Sequence, residues 1–143
     1  MPNKTIQEQI ELEEYMLRII NALLSGGDHL TFNQVYQKLR LFCGLIGKHL
    51  KLENEARAVE CFDELIKTSR SYLEFASNGS KGSCLMFNDD GLERYSIADR
   101  LKYQKEMVKD CLVIAVKGCK ELKSEQIQFH TNKALNLLQK YGL

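Results

Sequence analysis

The chain has 143 residues, enough for one domain that buries about two-thirds of the surface its unfolded form exposes, so neither a metal nor a disulfide is needed for folding. Apolar residues make up 44% and charged residues 27%, ordinary values for a globular protein. A net charge of +1 excludes a whole-molecule field that draws in nucleic acid or an anionic membrane.

The charge is unevenly placed. Residues 51–99 carry six basic and ten acidic side chains, and residues 100–143 carry nine and four. An acidic centre and a basic carboxy-terminal third can face each other in a dimer, or the basic end can meet an acidic partner, although surface charge mostly serves solubility. The five cysteines, Cys43, Cys61, Cys84, Cys111 and Cys119, are odd in number and form no CxxC pair. They indicate neither a disulfide framework nor a zinc knuckle. Reduced, mostly buried thiols of a cytoplasmic protein are the expectation. The acidic, amphipathic start is unlike a signal peptide. No apolar run approaches the roughly 20 residues that span a bilayer, so no membrane partner is expected.

The only proline is Pro2, and a chain without internal proline favours long helices. The first helix is expected over residues 5–24, with Thr5 and Glu8 forming a capping box. Ile6, Ile10, Leu17, Ile20 and Leu24 share one face. Leu12, Met16, Ile19 and Leu23 form a second apolar row. So wide an apolar arc implies burial on more than one side, as a central core helix or as part of a dimer. Ser25-Gly26-Gly27-Asp28 ends it. A second helix starts near Thr31 or Asn33 and carries Phe32, Val35, Tyr36, Leu39, Phe42 and Cys43. Gly44 and Gly47 then predict a break or kink before Leu50, each costing about 1 kcal/mol relative to alanine.

The third helix begins near Glu53 or Asn54, with Ala56, Val59, Phe62, Leu65 and Ile66 on its buried face. Its pattern continues through Ser69, Tyr72, Leu73 and Ala76, but residues 71–75 also read as a strand. Residues 76–82 look flexible, residues 83–87 form a short apolar run, and Asn88-Asp89-Asp90-Gly91 signals a turn. A fourth helix is expected over residues 97–122, with Leu101, Val108, Leu112, Ala115, Cys119 and Leu122 as its stripe and Lys102, Lys109 and Lys120 in one row opposite. Ser124 caps a fifth, which carries Ile127, Ala134, Leu135, Leu138 and Tyr141.

Two architectures fit. The first is mainly α: a five-helix bundle forming a single domain over residues 1–143, with an insert at about 71–96. The second is a winged helix-turn-helix core whose β-hairpin wing lies at residues 71–87, followed by carboxy-terminal helices. Residues 12–97 carry His29-Leu30-Thr31-Phe32-Asn33-Gln34-Val35-Tyr36 where a second helix opens and Ala58-Val59-Glu60-Cys61-Phe62-Asp63-Glu64-Leu65 where a third would lie. In this they resemble the winged-helix domains of origin-recognition initiator proteins. The resemblance implies a wing over residues 70–87 and a nucleic-acid partner. Against DNA reading, the third helix carries Glu53, Glu55, Glu60, Asp63 and Glu64 against Arg57 and Lys67, and phosphate contact depends on Lys and Arg.

No constellation of catalytic type emerges. Gly44-Leu45-Ile46-Gly47-Lys48 lacks the spacing and the Ser or Thr of a Walker A loop. Its GxxG spacing also occurs in KH domains, where the loop clamps a single-stranded backbone, but flanking strands are not evident. Glycines that permit a kink or a close helix contact are the simpler reading. His29, His49 and His130 have no second ligand at i+3 or i+4, so no metal site is expected. His49 reads as part of a basic patch with Lys48 and Lys51. Cys43 lies near Lys48 and His49 but lacks an orienting third group. Glu11, Glu13 and Glu14 flank the first helix, and Asp89-Asp90 lacks calcium-loop spacing.

The sequence therefore points to a non-enzymatic, cofactor-free adaptor, regulator or assembly subunit that binds a protein partner, a second copy included, through Leu12, Met16, Ile19 and Leu23. The alternative is nucleic-acid binding through the basic carboxy-terminal helix, with Lys102, Lys109 and Lys120 contacting phosphate or an acidic partner.

Overall fold

The computed structural model describes residues 5–25, 32–77, 96–120 and 122–143; the side chains of residues 23–25, 75, 77 and 97 lie outside that description. Five helices follow in chain order: α1 (Ile6–Ser25), α2 (Phe32–Lys51), α3 (Glu55–Ser77), α4 (Ile97–Cys119) and α5 (Glu125–Lys140). No strand occurs among the described residues. The mainly α bundle is thus the fold.

The local chemistry explains where the helices start. Thr5 and Glu8 form the anticipated capping box: the Glu8 amide donates to Thr5 Oγ1 at 3.1 Å and the Thr5 amide to Glu8 Oε1 at 3.3 Å. Asn54 accepts from the Arg57 amide at 3.3 Å, Ser96 from Asp99 at 3.2 Å and Ser124 from Ile127 at 3.4 Å. Each satisfies a donor the first turn leaves without an intrahelical partner.

Two helices end in the same six-residue hydrogen-bond motif. At the end of α2 the Asn54 amide donates to the His49 carbonyl at 2.8 Å and the Glu53 amide to Leu50 at 3.1 Å. At the end of α5 the Leu143 amide reaches Leu138 at 2.9 Å and Gly142 reaches Gln139 at 3.1 Å. The motif requires a left-handed residue before its last position. Gly142 meets this freely at φ 68°, whereas Glu53 adopts φ 58° with a Cβ.

One core cluster draws residues from all five helices. Leu39 and Leu45 of α2, Phe62, Leu65, Ile66 and Leu73 of α3, Val108 and Leu112 of α4 and Ile127 of α5 are its most enclosed members. α2 and α3 are central: α2 packs on α1, α3 and α4, while α3 packs on α2, α4 and α5. Two polar contacts in the interior join helices. The Tyr72 hydroxyl donates to Gln104 Oε1, tying α3 to α4. The Cys43 thiol donates to the Cys111 carbonyl at 3.2 Å, tying α2 to α4.

Several expectations are corrected. α2 runs unbroken through Gly44 and Gly47, and burial of their neighbours Leu45 and Ile46 offsets the cost of the glycines. Residues 71–75 belong to α3 rather than to a strand, since Tyr72, Leu73 and Ala76 bury at helical spacing; the second half of the supposed hairpin, residues 83–87, lies outside the described residues, as do Cys84, His29 and Asp89-Asp90. Ala56 is exposed, at the first turn of α3, where Ala58 turns inward instead. Leu122 lies beyond the end of α4 and, like Leu135, is exposed. α1 is not a central helix: it packs chiefly on α2 at the edge of the bundle.

Replacing the strained Glu53 by glycine is expected to raise stability by about 1 kcal/mol, the smaller part of the cost of a left-handed residue with a Cβ. Urea unfolding of the Glu53→Gly protein against wild type checks this; an unchanged or lowered midpoint contradicts it.

Candidate interaction surface

At 100° per residue, α1 divides into a seam and two flanks. Ile10, Leu17 and Ile20 form the seam and are buried against α2. Glu13 lies on the same seam. Its carboxylate accepts from Lys48 Nζ at 2.6 Å, and it passes so close to α2 that a Cβ on Gly44 would lie 2.8 Å from Glu13 Oε1. The contact is with the flexible end of the Glu13 side chain, so Gly44 leaves room for the carboxylate where it lies. Gly47, one turn on, meets nothing within 4 Å.

One flank of α1 is polar and directed to α3. Glu14 accepts from Arg57 twice, from Nη2 at 2.6 Å and from Nε at 2.9 Å, a bidentate pair. The buried His49 places Nε2 3.3 Å from Glu14 Oε1, and because a carboxylate only accepts, that nitrogen is the donor. His49 thus faces a carboxylate, not the basic patch expected from its sequence neighbours. Arg57 continues to Glu60 at 3.1 Å. The Arg57 hydrogen bonds hold the Glu14 carboxyl below its ordinary value, with burial opposing and His49 assisting. The same pairing raises Arg57 further.

Glu14, His49 and Cys61 bring an oxygen, a nitrogen and a sulfur within 4.8 Å of one another, a ligand set suited to zinc by type. The surroundings do not fit a cation. Both Glu14 oxygens face the Arg57 guanidinium, and burial pushes the Cys61 thiol up to about 12. A dication here would sit beside a fixed positive charge and against a neutral thiol. The cluster does the work of an interhelix junction. A nucleophilic role finds no support at Cys43 either: its contact with Cys111, then burial, raise its thiol far above the usual range.

The other flank of α1 is apolar, and none of the described helices covers it. Leu12 is 43% exposed, Met16 43% and Ile19 44%. The side chain of Leu23, fourth in the row, lies outside the described residues. The structure adds Tyr15, 55% exposed and bordering the same row. Its spacing of three from Leu12 and four from Ile19 was legible, but a tyrosine passes easily for a surface residue. Glu11 and Arg18 edge the row on the side away from α2, with the Arg18 guanidinium 6.0 Å from the centre of the Tyr15 ring.

Lys102 and Lys109 lie on α4 and Lys120 follows it as the C-cap; Lys102 and Lys120 are exposed and Lys109 is partly so. They are not a uniform cationic strip. Lys109 lies 3.8 Å from Glu106, and Lys102 lines a depression of about 410 Å³ with Asp99, Tyr103 and Glu106. On α5 the buried His130 bonds through Nδ1 to the Gln126 carbonyl at 2.8 Å and approaches Asp63 at 3.6 Å. Asp63 is held below its ordinary value by Lys67 first, with Lys133 and His130 adding. Among the described residues no helix is long and apolar enough to cross a membrane.

No protein-family model, curated protein or solved structure matches the chain.

The folded-state shift at Glu14 is downward, so its stabilising contribution is complete above its ordinary value of 4.5 and is lost as pH falls through the lower folded value. Glu14→Gln is expected to cost about 1–2 kcal/mol at pH 7, the loss of charge-assisted hydrogen bonds in a partly exposed setting. The gap between variant and wild type should close on acidification below 4.5. Urea unfolding at a series of pH values checks this, and an offset independent of pH contradicts it.

Proposed function

We propose that this protein is a non-enzymatic interaction module, an adaptor, regulator or assembly subunit, whose docking surface is the outer apolar row of α1. One observation carries the reading. Leu12, Tyr15, Met16 and Ile19 form a continuous apolar row on a helix that already has a buried seam. Isolated exposed apolar residues are ordinary on a protein surface, but a contiguous row along one helix marks a contact surface. An amphipathic helix that presents anchors at i, i+3, i+4 and i+7 is a recurrent means of docking to another helix or groove. The remaining polar clusters are satisfied within the bundle: Glu13 by Lys48, Glu14 by Arg57 and His49. They hold α1 in place and leave its outer face for binding.

The reading places the binding energy in a few residues near the centre of the row, as interfaces generally do. The double variant Met16→Glu/Ile19→Glu puts two charges into that centre. It touches neither the seam nor the Glu14 junction, so far-UV circular dichroism and the unfolding midpoint should be close to wild type. Capture of host proteins by tagged wild type and variant, each with and without nuclease, is the test. Proteins retained by wild type, resistant to nuclease and reduced about tenfold or more with the variant are expected. Identical capture by the two proteins contradicts the proposal. Capture lost with nuclease, and lost when Lys102, Lys109 and Lys120 become glutamate, replaces it with nucleic-acid binding.

A further inference from the structure

We infer that the occupant of the outer α1 row is a second copy of this chain, docked with the two α1 helices antiparallel. This rests on the reading of that row as a docking surface and names its partner.

The pattern of charges beside the row selects both partner and direction. Glu11 and Arg18 are seven residues apart on the same edge of α1, two helical turns, with Leu12 and Tyr15 between them on the row. When two such helices pair antiparallel about an axis near residues 13–14, Leu12 of one lies across from Tyr15 of the other, and the reverse. The same register sets Glu11 beside the partner's Arg18, and by symmetry this occurs twice. A patch that carries its own complement in this way is what a two-fold interface requires. Parallel pairing brings the edge bearing Glu11 to the edge bearing Met16 and leaves both charges without a counterpart. Opposite charges flanking a helical seam are the usual determinant of partner and orientation.

The surroundings agree. Among the described residues neither Glu11 nor Arg18 takes part in an ion pair within its own chain: Glu11 accepts from the Gln7 amide at 3.3 Å, and Arg18 lies over Tyr15. Both are exposed. The carboxylates that face the bundle, Glu13 and Glu14, are engaged with Lys48, His49 and Arg57, so they do not compete for Arg18 across the seam. The seam against α2 is unaffected, because it lies on a different side of α1. Two 20-residue helices form a contact at the small end of specific interfaces, so the dimer should be reversible, with a dissociation constant on the order of 10 µM.

Sedimentation equilibrium of the full chain from about 1 to about 200 µM tests the proposal. Wild type should pass from monomer to dimer across this range, and Met16→Glu should remain monomeric. Glu11→Arg and Arg18→Glu should each weaken the dimer about tenfold, and the two changes together should restore it to within about threefold of wild type. The restoration is the decisive arm, since a merely structural effect of either charge is not repaired by the second. Circular dichroism confirms that each variant is folded. A wild type monomeric at every concentration overturns the inference; if Met16→Glu/Ile19→Glu nevertheless abolishes capture of another protein, the docking surface stands and its partner is a different chain. A dimer indifferent to Met16, or one that the double charge exchange fails to restore, also overturns it.

Discussion

Much that is distinctive in this structure follows from α1 burying one apolar seam, against α2, while a second apolar row stays exposed among the described residues. Ile10, Leu17 and Ile20 satisfy the seam with α2. A second row, set around the helix from the first, stays exposed, with no described helix packed over it. The seam residues of α1 belong to the one core cluster that all five helices share. Burial of apolar area at about 25 cal/mol per Å² draws an uncovered row toward any complementary surface.

The polar contacts of α1 make sense in that light. A helix that both packs at the edge and meets a partner needs a fixed rotation about its own axis. Apolar packing alone fixes rotation poorly. The Glu13–Lys48 pair and the bidentate Glu14–Arg57 pair, backed by His49, do so from the seam and from one flank. Gly44 contributes by lacking a side chain, leaving room for the Glu13 carboxylate where it lies. The junction also explains why a set of residues that resembles a metal site by composition is spent on structure: the guanidinium already occupies the carboxylate.

Most of the fold was legible in the sequence because helical period and caps are local. The capping box at Thr5, Ser124 ahead of α5 and the two rows of α1 were all readable from spacing. What was not legible depended on contacts distant in sequence. The glycines of α2 predict a break or kink from their propensity, at about 1 kcal/mol each, yet the helix continues through them with Leu45 and Ile46 buried between. The strand reading of residues 71–75 rested on side-chain type, and burial of Tyr72 and Leu73 against α2 and α4 decided otherwise. The Glu14–Arg57–His49 junction joins residues 35 and 43 positions apart, and no one-dimensional pattern announces it. Of the exposed apolar row, Leu12, Met16 and Ile19 share a face by spacing alone, whereas Tyr15 joins it only through its exposure in the structure.

Exposure of the α1 row on the isolated chain is the central claim, and the absence of tryptophan from the sequence permits a direct measurement. Tyr15→Trp places a sole indole on the row. In dilute protein its fluorescence should be open to acrylamide quenching to nearly the extent of the urea-unfolded chain, and it should become protected only as concentration or an added partner rises. An indole protected equally at every dilution would show that the chain covers this face itself, and the account would fail.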